Sequence, residues 1–185
     1  MGGTSGSLTL DIAAGGDNAG EIPDGTVYPG TIHDMLYATG QLSGFIFRDI
    51  AVPAGATVTA AHLNLFPLSY DDPDLTIRGQ STPADFTTAA NNLSSRAKTT
   101  AGVTWVASNI GVEAYKPSPD ISPVLNEIIG AEGWQEGDDL ALFLIDNGAG
   151  GAVYFAHYDH LTYPPPQLVV EWAFVGTSGV LAPAT

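Results

Sequence analysis

Apolar and polar residues alternate with a period of two along much of this chain, which is the pattern of strands with one face buried. The clearest case is Gly44 to Leu68 (GFIFRDIAVPAGATVTAAHLNLFPL). Phe45, Phe47 and Asp49 fall on one face of its first limb, and Ile46, Arg48 and Ile50 on the other. On the second limb Ala61, Leu63 and Leu65 alternate with His62, Asn64 and Phe66. Pro53-Ala54-Gly55 separates the limbs, since proline fixes φ and glycine tolerates turn conformations. Further strands are predicted at Ser7 to Ala14, Asp74 to Gln80, Val103 to Val106 and Gln167 to Phe174. Asp139 to Asn147 (DLALFLIDN) is apolar on both faces, which predicts a central strand covered on each side. Gly148 to Gly151 reads as a hairpin loop from which Ala152 to Asp159 returns.

Helical periodicity is confined to residues 121–130, where Val124, Leu125, Ile128 and Ile129 make one stripe behind Asp120, Ser122 and Pro123. Two stretches carry no strong pattern. Residues 15–43 form a long, turn-rich loop, with Val27-Tyr28 and Met35-Leu36-Tyr37 as candidate short strands. A loop of that length within a compact fold is expected to pack or to bind something. Ser81 to Gly102 is polar, with a helical turn possible near Ala89 to Ser95. The count is about eight strands and one short helix. It predicts an all-β fold, a jelly-roll type two-sheet antiparallel β-sandwich, because double-sheet closure manages strand edges. Residues 1–175 read as one domain and residues 176–185 as a flexible C-terminal arm. Met1 to Ser7 is similarly Gly-rich.

Composition narrows the function classes. The 185 residues include 20 acidic and 5 basic ones, for a net charge of −15. Phosphate backbones and anionic lipid are poor partners for such a surface, so neither nucleic acid nor membrane is expected. There is no cysteine, hence no disulfide, thiolate metal site or thiol nucleophile. The opening residues lack the basic and apolar regions of a signal peptide.

With the strands placed, an ordered set of motifs emerges: Phe45-Ile-Phe-Arg48, Val52-Pro-Ala-Gly-Ala-Thr-Val-Thr-Ala-Ala-His-Leu-Asn-Leu65, Arg96-x-x-Thr-Thr-x-x-Val-Thr-Trp105, Ser118-Pro-Asp-Ile-Ser-Pro-Val-Leu-Asn-Glu-Ile-Ile129, Gly133-Trp134, Gly137-Asp-Asp-Leu-Ala-Leu142, Tyr158-Asp159 and Pro166-Gln-Leu-Val-Val-Glu171. Over residues 44–172 this order resembles the DNRLRE-type β-sandwich modules, which are similar to carbohydrate-binding modules and occur in microbial surface proteins and phage virion proteins. The family has an Arg in its first core strand where Ile46 aligns here, and Arg48 lies two residues on. The resemblance implies architectural roles for the Pro-Ala-Gly turn, as a hairpin, and for the tryptophans. It supplies no catalytic residue.

The search for chemistry starts from there. No Gly-x-Ser-x-Gly elbow, His-Glu-x-x-His pair or phosphate loop is present. His157, Asp159 and His160 do not share one strand face, so no facial metal triad is expected. The carboxylates at Asp17-Asn18, Asp71-Asp72-Pro73-Asp74 and Asp138-Asp139 are candidate Ca²⁺ ligands, but none has the ligand count of a calcium loop. Tyr154, Tyr158 and Tyr163 could stack on sugar rings, and Val180 and Leu181 in the tail could bury against a neighbour. Two functions follow. One is a non-catalytic phage virion surface protein, a capsid decoration (cement) or tail component, with the major capsid or another virion protein as partner and copies in an oligomer or array. The other is a carbohydrate-binding module of a secreted or cell-surface protein. No enzyme activity and no cofactor beyond possible Ca²⁺ is expected.

Overall fold

The computed structural model describes residues 5–30, 35–37, 40–69, 72, 74–106, 111, 114–148, 151 and 153–174. They form an all-β sandwich with one helix. The strands are β1 (Ser5–Asp11), β2 (Asn18–Glu21), β3 (Val27–Pro29), β4 (Met35–Tyr37), β5 (Leu42–Phe47), β6 (Thr57–Leu65), β7 (Asp74–Ser81), β8 (Val103–Val106), β9 (Lys116–Pro117), β10 (Leu140–Asp146), β11 (Val153–Phe155) and β12 (Gln167–Ala173). The helix α1 spans Ser122–Ile129. One sheet has the order β1-β12-β6-β9 and the other β3-β2-β5-β10-β7-β8, with all pairs antiparallel. Eight strands make the jelly-roll, β1, β6, β9 and β12 in one sheet and β5, β7, β8 and β10 in the other. The short β2 and β3 extend the second sheet, and β4 pairs with β11.

The main core lies between the sheets. Phe45 and Phe47 of β5, Leu63 and Leu65 of β6, Leu75 and Ile77 of β7, and Leu140, Leu142 and Leu144 of β10 are all fully buried there. The helix closes one side with the predicted stripe of Val124, Leu125, Ile128 and Ile129. Its approach depends on Gly79, where a Cβ would come within 2.6 Å of Ile128 and 2.9 Å of Val124. A second cluster sits on the opposite face of the same six-stranded sheet. Ala19, Ile46, Ala141 and Phe143 meet Phe86 and Leu93 from the 82–99 loop. Gly44 admits those side chains, since a Cβ there would lie 2.7 Å from Phe86. The two-sided apolarity of β10 therefore has the predicted cause, a cover on each face.

Several expectations are corrected. The Gly44 to Leu68 unit is not a hairpin, because β5 and β6 belong to different sheets. Asp49 adopts φ 54°, which reverses the alternation, so Ile50 joins Phe45 and Phe47 in the core rather than Ile46 on the other face. The chain then crosses the sandwich through the Pro53–Gly55 turn, closed by the Ala56 N–H to the Pro53 carbonyl at 3.1 Å. Nor does residue 153 onward return along β10. Both edges of β10 are already paired, to β5 and β7, so β11 pairs with β4 instead. Within residues 15–43 the two expected short strands are present as β3 and β4, and β2 (Asn18–Glu21) is a third that alternation did not mark. The first strand starts earlier than the predicted Ser7, because Ser5 and Gly6, part of the Gly-rich opening, pair with Ala173 and Trp172.

The sheet edges differ in how they end. The edge of β6 is closed by the segment leading into α1. Asn126 mimics a strand neighbour, accepting from the Val58 N–H at 2.8 Å and donating to its carbonyl at 2.9 Å. Asp120 accepts from the Ala61 N–H, and Ser118 exchanges backbone and side-chain bonds with Leu63. A bulge in β6 beside Glu171/Trp172 lets Val58 and Ala61, three apart, both face the core. Beyond the four residues of β8, Thr99 completes the edge of β7 by bonding both backbone groups of Gly79.

Candidate functional site

The predicted tyrosines lie on and after β11. Tyr154, Tyr158 and Tyr163 are each about two-fifths exposed, at 41%, 39% and 41%, with Leu161 fully exposed between them. They are not equivalent. The ring of Tyr163 stacks on Phe66 (centroids 4.5 Å apart, planes at 18°) and on His160 (5.0 Å, 24°). Phe66 in turn meets Tyr115 edge-on at 6.2 Å. Tyr163 is thus one member of an aromatic row at an end of the sandwich, and that row uses its ring. The Tyr115 hydroxyl donates to the Pro165 carbonyl at 2.8 Å, and burial with the charge of Asp11 pushes its pKa up to about 12.

The turn that carries these rings is built by its histidines. Strand geometry ends at Phe155, and the His160 N–H bonds the His157 carbonyl, so 157–160 is a turn and face arguments from strand spacing do not apply to it. His157 Nδ1 accepts from the Asp159 N–H at 3.0 Å. His160 Nδ1 accepts from the N–H groups of Thr162 and Tyr163 at 3.2 and 3.0 Å. Accepting at Nδ1 leaves the proton on Nε2 in each neutral ring. The turn is anchored by buried Asn18, whose side-chain oxygen accepts from the Tyr158 N–H.

The carboxylates considered for Ca²⁺ have other partners. Asp17, Asp85 and Asp139 converge on one guanidinium, that of Arg48, with Asp85 at 2.7 Å and Asp139 at 2.9 Å. Burial opposes the charge on Arg48. The hydrogen bonds it donates to Asp17, Asp85 and Asp139 outweigh it and raise its pKa. Asp138 accepts from the Gln135 N–H, and Asp74 from the Asn147 amide. No group of three His, Asp or Glu side chains able to hold a metal occurs among the described residues. Asp71, Pro73, Val180 and Leu181 lie outside the described residues.

Sequence reasoning missed the role of the cations. Arg48, Arg78, Arg96 and Lys98 all fasten the 82–101 loop over the six-stranded sheet. Arg78 donates to the carbonyls of Thr99 and Thr100, and Arg96 to those of Ala84, Asp85 and Asn92. Lys98 donates to Leu93, Ser94 and Arg96 while sitting 4.7 Å from the Phe143 ring centroid. Arg96 lies at the same distance from the ring of Phe86. Burial lowers the pKa of both Arg96 and Lys98. From the sheet side, Glu21 accepts from the N–H groups of Leu93 and Ser94, toward the end of the turn expected near Ala89 to Ser95. The signal was available: cations confined to residues 48–116 in a chain this acidic.

Two shallow clefts lie among the described residues. One of about 270 Å³ lies between α1 and the loop, beside Lys98, Thr99, Glu127 and Ile128. Another of about 340 Å³ lies beside Ser7, Thr59 and Trp172, next to the β6 bulge. No protein-family model matches the chain, and no curated protein does.

Proposed function

We propose that this protein is a non-catalytic structural component of a particle surface, a phage capsid decoration or tail protein held by protein contacts to a capsid or other virion protein. The observation that carries the reading is where the polar chemistry goes. Four of the five cations and the converging carboxylates bind the protein's own loops, and among the described residues no buried side-chain nitrogen or oxygen lacks a partner. Convergent polar groups serve rigidity, and the surface left over is strongly acidic. Such a surface favours solubility at high copy number over capture of anions. The resemblance of residues 44–172 to DNRLRE-type modules points the same way. The test is co-sedimentation with the parent particle, for the full chain and for a chain lacking residues 176–185. Binding by the full chain, weakened by the truncation without loss of thermal stability, is expected. A full chain that stays in the supernatant overturns the proposal.

A second reading, a carbohydrate-binding module, is favoured by Tyr154 and Tyr158, each about two-fifths exposed. Affinity electrophoresis in gels containing soluble polysaccharide tests it. Retardation abolished by Tyr158→Ala would establish it, and unchanged mobility across neutral and acidic polysaccharides would remove it.

A further inference from the structure

We propose that β1 is a docking edge for a second copy of this chain, pairing antiparallel with the second copy's β1 so that the four-stranded sheet becomes one sheet of eight. The proposal starts from a contrast between edges. The edge of β6 is plugged by Ser118, Asp120 and Asn126. That of β7 is finished by β8 and Thr99. At the other end of the six-stranded sheet β3 is three residues long and ends in Pro29, which has no N–H to offer. Among the described residues β1 has no such device. Its seven residues pair with β12 in unbroken register from Ser5↔Ala173 to Asp11↔Gln167, and no other strand among the described residues pairs with its far side. It has no proline, lysine, arginine or bulge, the usual guards of an edge, and Asp11 is its one charge.

The choice of occupant rests on self-complementarity and burial. A two-fold axis at Leu8 sets Leu8 against the second copy's Leu8, Gly6 against its Leu10, Ser7 against its Thr9 and Ser5 against its Asp11. No like charges face each other in that register. Leu8 and Leu10 pack against the main core yet stay partly exposed, because β1 is the last strand over it. A second copy in this register brings its own Leu8 and Leu10 alongside and extends the core across the axis. Seven residues give an edge of about 24 Å. A strip that long and about 10 Å wide covers roughly 240 Å² per partner, well under the roughly 800 Å² of a standard interface, so the dimer should be weak, in the micromolar to millimolar range. Each copy carries −15, so salt should strengthen it. The inference stands apart from the proposed function, since it concerns the free protein with no particle present.

Sedimentation velocity over a concentration series, at low and high salt, tests it. A reversible dimer promoted by salt is expected. The double variant Ser7→Lys/Thr9→Lys sets lysine against lysine twice across the axis and should weaken the dimer about tenfold or more. It also reduces the net negative charge, so relief of general repulsion would act in the opposite direction. Leu8→Cys, in a chain with no other thiol, should form a disulfide dimer under mild oxidation, because opposed residues in antiparallel strands lie within disulfide reach. It serves as the second readout should the lysine variant not fold. A chain that remains monomeric at millimolar concentration overturns the proposal. So does a dimer that the lysine variant leaves intact or that Leu8→Cys fails to cross-link.

Discussion

The two faces of the six-stranded sheet are both dry, but they are kept dry in different ways. The inner face packs aliphatic and aromatic side chains of β5, β7 and β10 against β6, β12 and α1. The outer face buries a smaller apolar group under a loop with no regular structure beyond turns, and the loop is tied down at its ends and middle by charges. Regular elements satisfy their own backbone, so they can cover a core with apolar contacts alone. A loop cannot, and its exposed carbonyls must find donors. Arg78, Arg96 and Lys98 supply those donors, which explains why the few cations of this acidic chain gather there.

The largest expected effect is on the inner face. Leu142→Ala should cost about 4 kcal/mol, as for other Leu truncations in closed cores, measured by urea denaturation. A loss under half that would mean the inner face can collapse around a void. Next comes Arg48→Met. It leaves Asp17, 3% exposed, facing Asp139 and Asp85 with no cation. Removing one partner of such a cluster should cost about 3 kcal/mol. Hydrogen exchange should rise first at residues 82–99, whereas Leu142→Ala should raise it everywhere. If both variants loosen the whole fold equally, the two covers are one cooperative unit and the contrast fails.

The sequence disclosed the inner face more readily than the outer. Period-two alternation reveals which residues of β6, β7 and β12 are buried, and the double apolarity of β10 shows that something covers its back. Nothing local shows what. Phe86 and Leu93 are isolated apolar residues in a polar stretch, and their burial follows from long-range packing on Ile46 and Phe143. Ile50 was placed on the wrong face for a related reason, since a positive φ at a single Asp carries no periodic signal. In the candidate site, the exposure of Tyr154 and Tyr158 suits their polar context. The stacking of Tyr163 between sequence-distant Phe66 and nearby His160 depends on tertiary contacts that spacing does not encode.

A smaller effect should follow from Lys98→Met. The methionine keeps an apolar stem over Phe143 but removes three bonds to loop carbonyls. The loop is open enough for water to replace part of them, so about 1 kcal/mol is expected by denaturation. A gain in stability would mean that burying the ammonium costs more than its hydrogen bonds return.

Acid should separate the two faces most finely. Glu127, from α1, holds the end of the loop by accepting from the N–H groups of Ala101 and Thr100 at 2.6 and 2.7 Å. Those bonds hold its carboxyl below the usual value, with Arg78 adding to the effect. Asp120 is likewise lowered: burial works against its charge, but bonds from Ala61 and Ser122 prevail. A carboxyl whose folded pKa is depressed binds more protons when unfolded. Its contribution is therefore complete above its ordinary pKa and is lost as pH falls through the folded value. Both contributions should be intact at neutral pH and decline below about pH 4. The amide of Leu142 depends on no carboxylate, since β10 is paired there with β5 and β7. Lowering the pH should thus reduce hydrogen-exchange protection, taken against the intrinsic rate at each pH, at the amides of Thr100, Ala101 and Ala61 before that of Leu142. Glu127→Gln, which retains one acceptor oxygen, should show faster exchange at Thr100 or Ala101 already at neutral pH and a flatter response to acid. If the amide of Leu142 exchanges in step with those of Thr100 and Ala101 throughout the titration, the carboxylate does not hold the loop separately from the core.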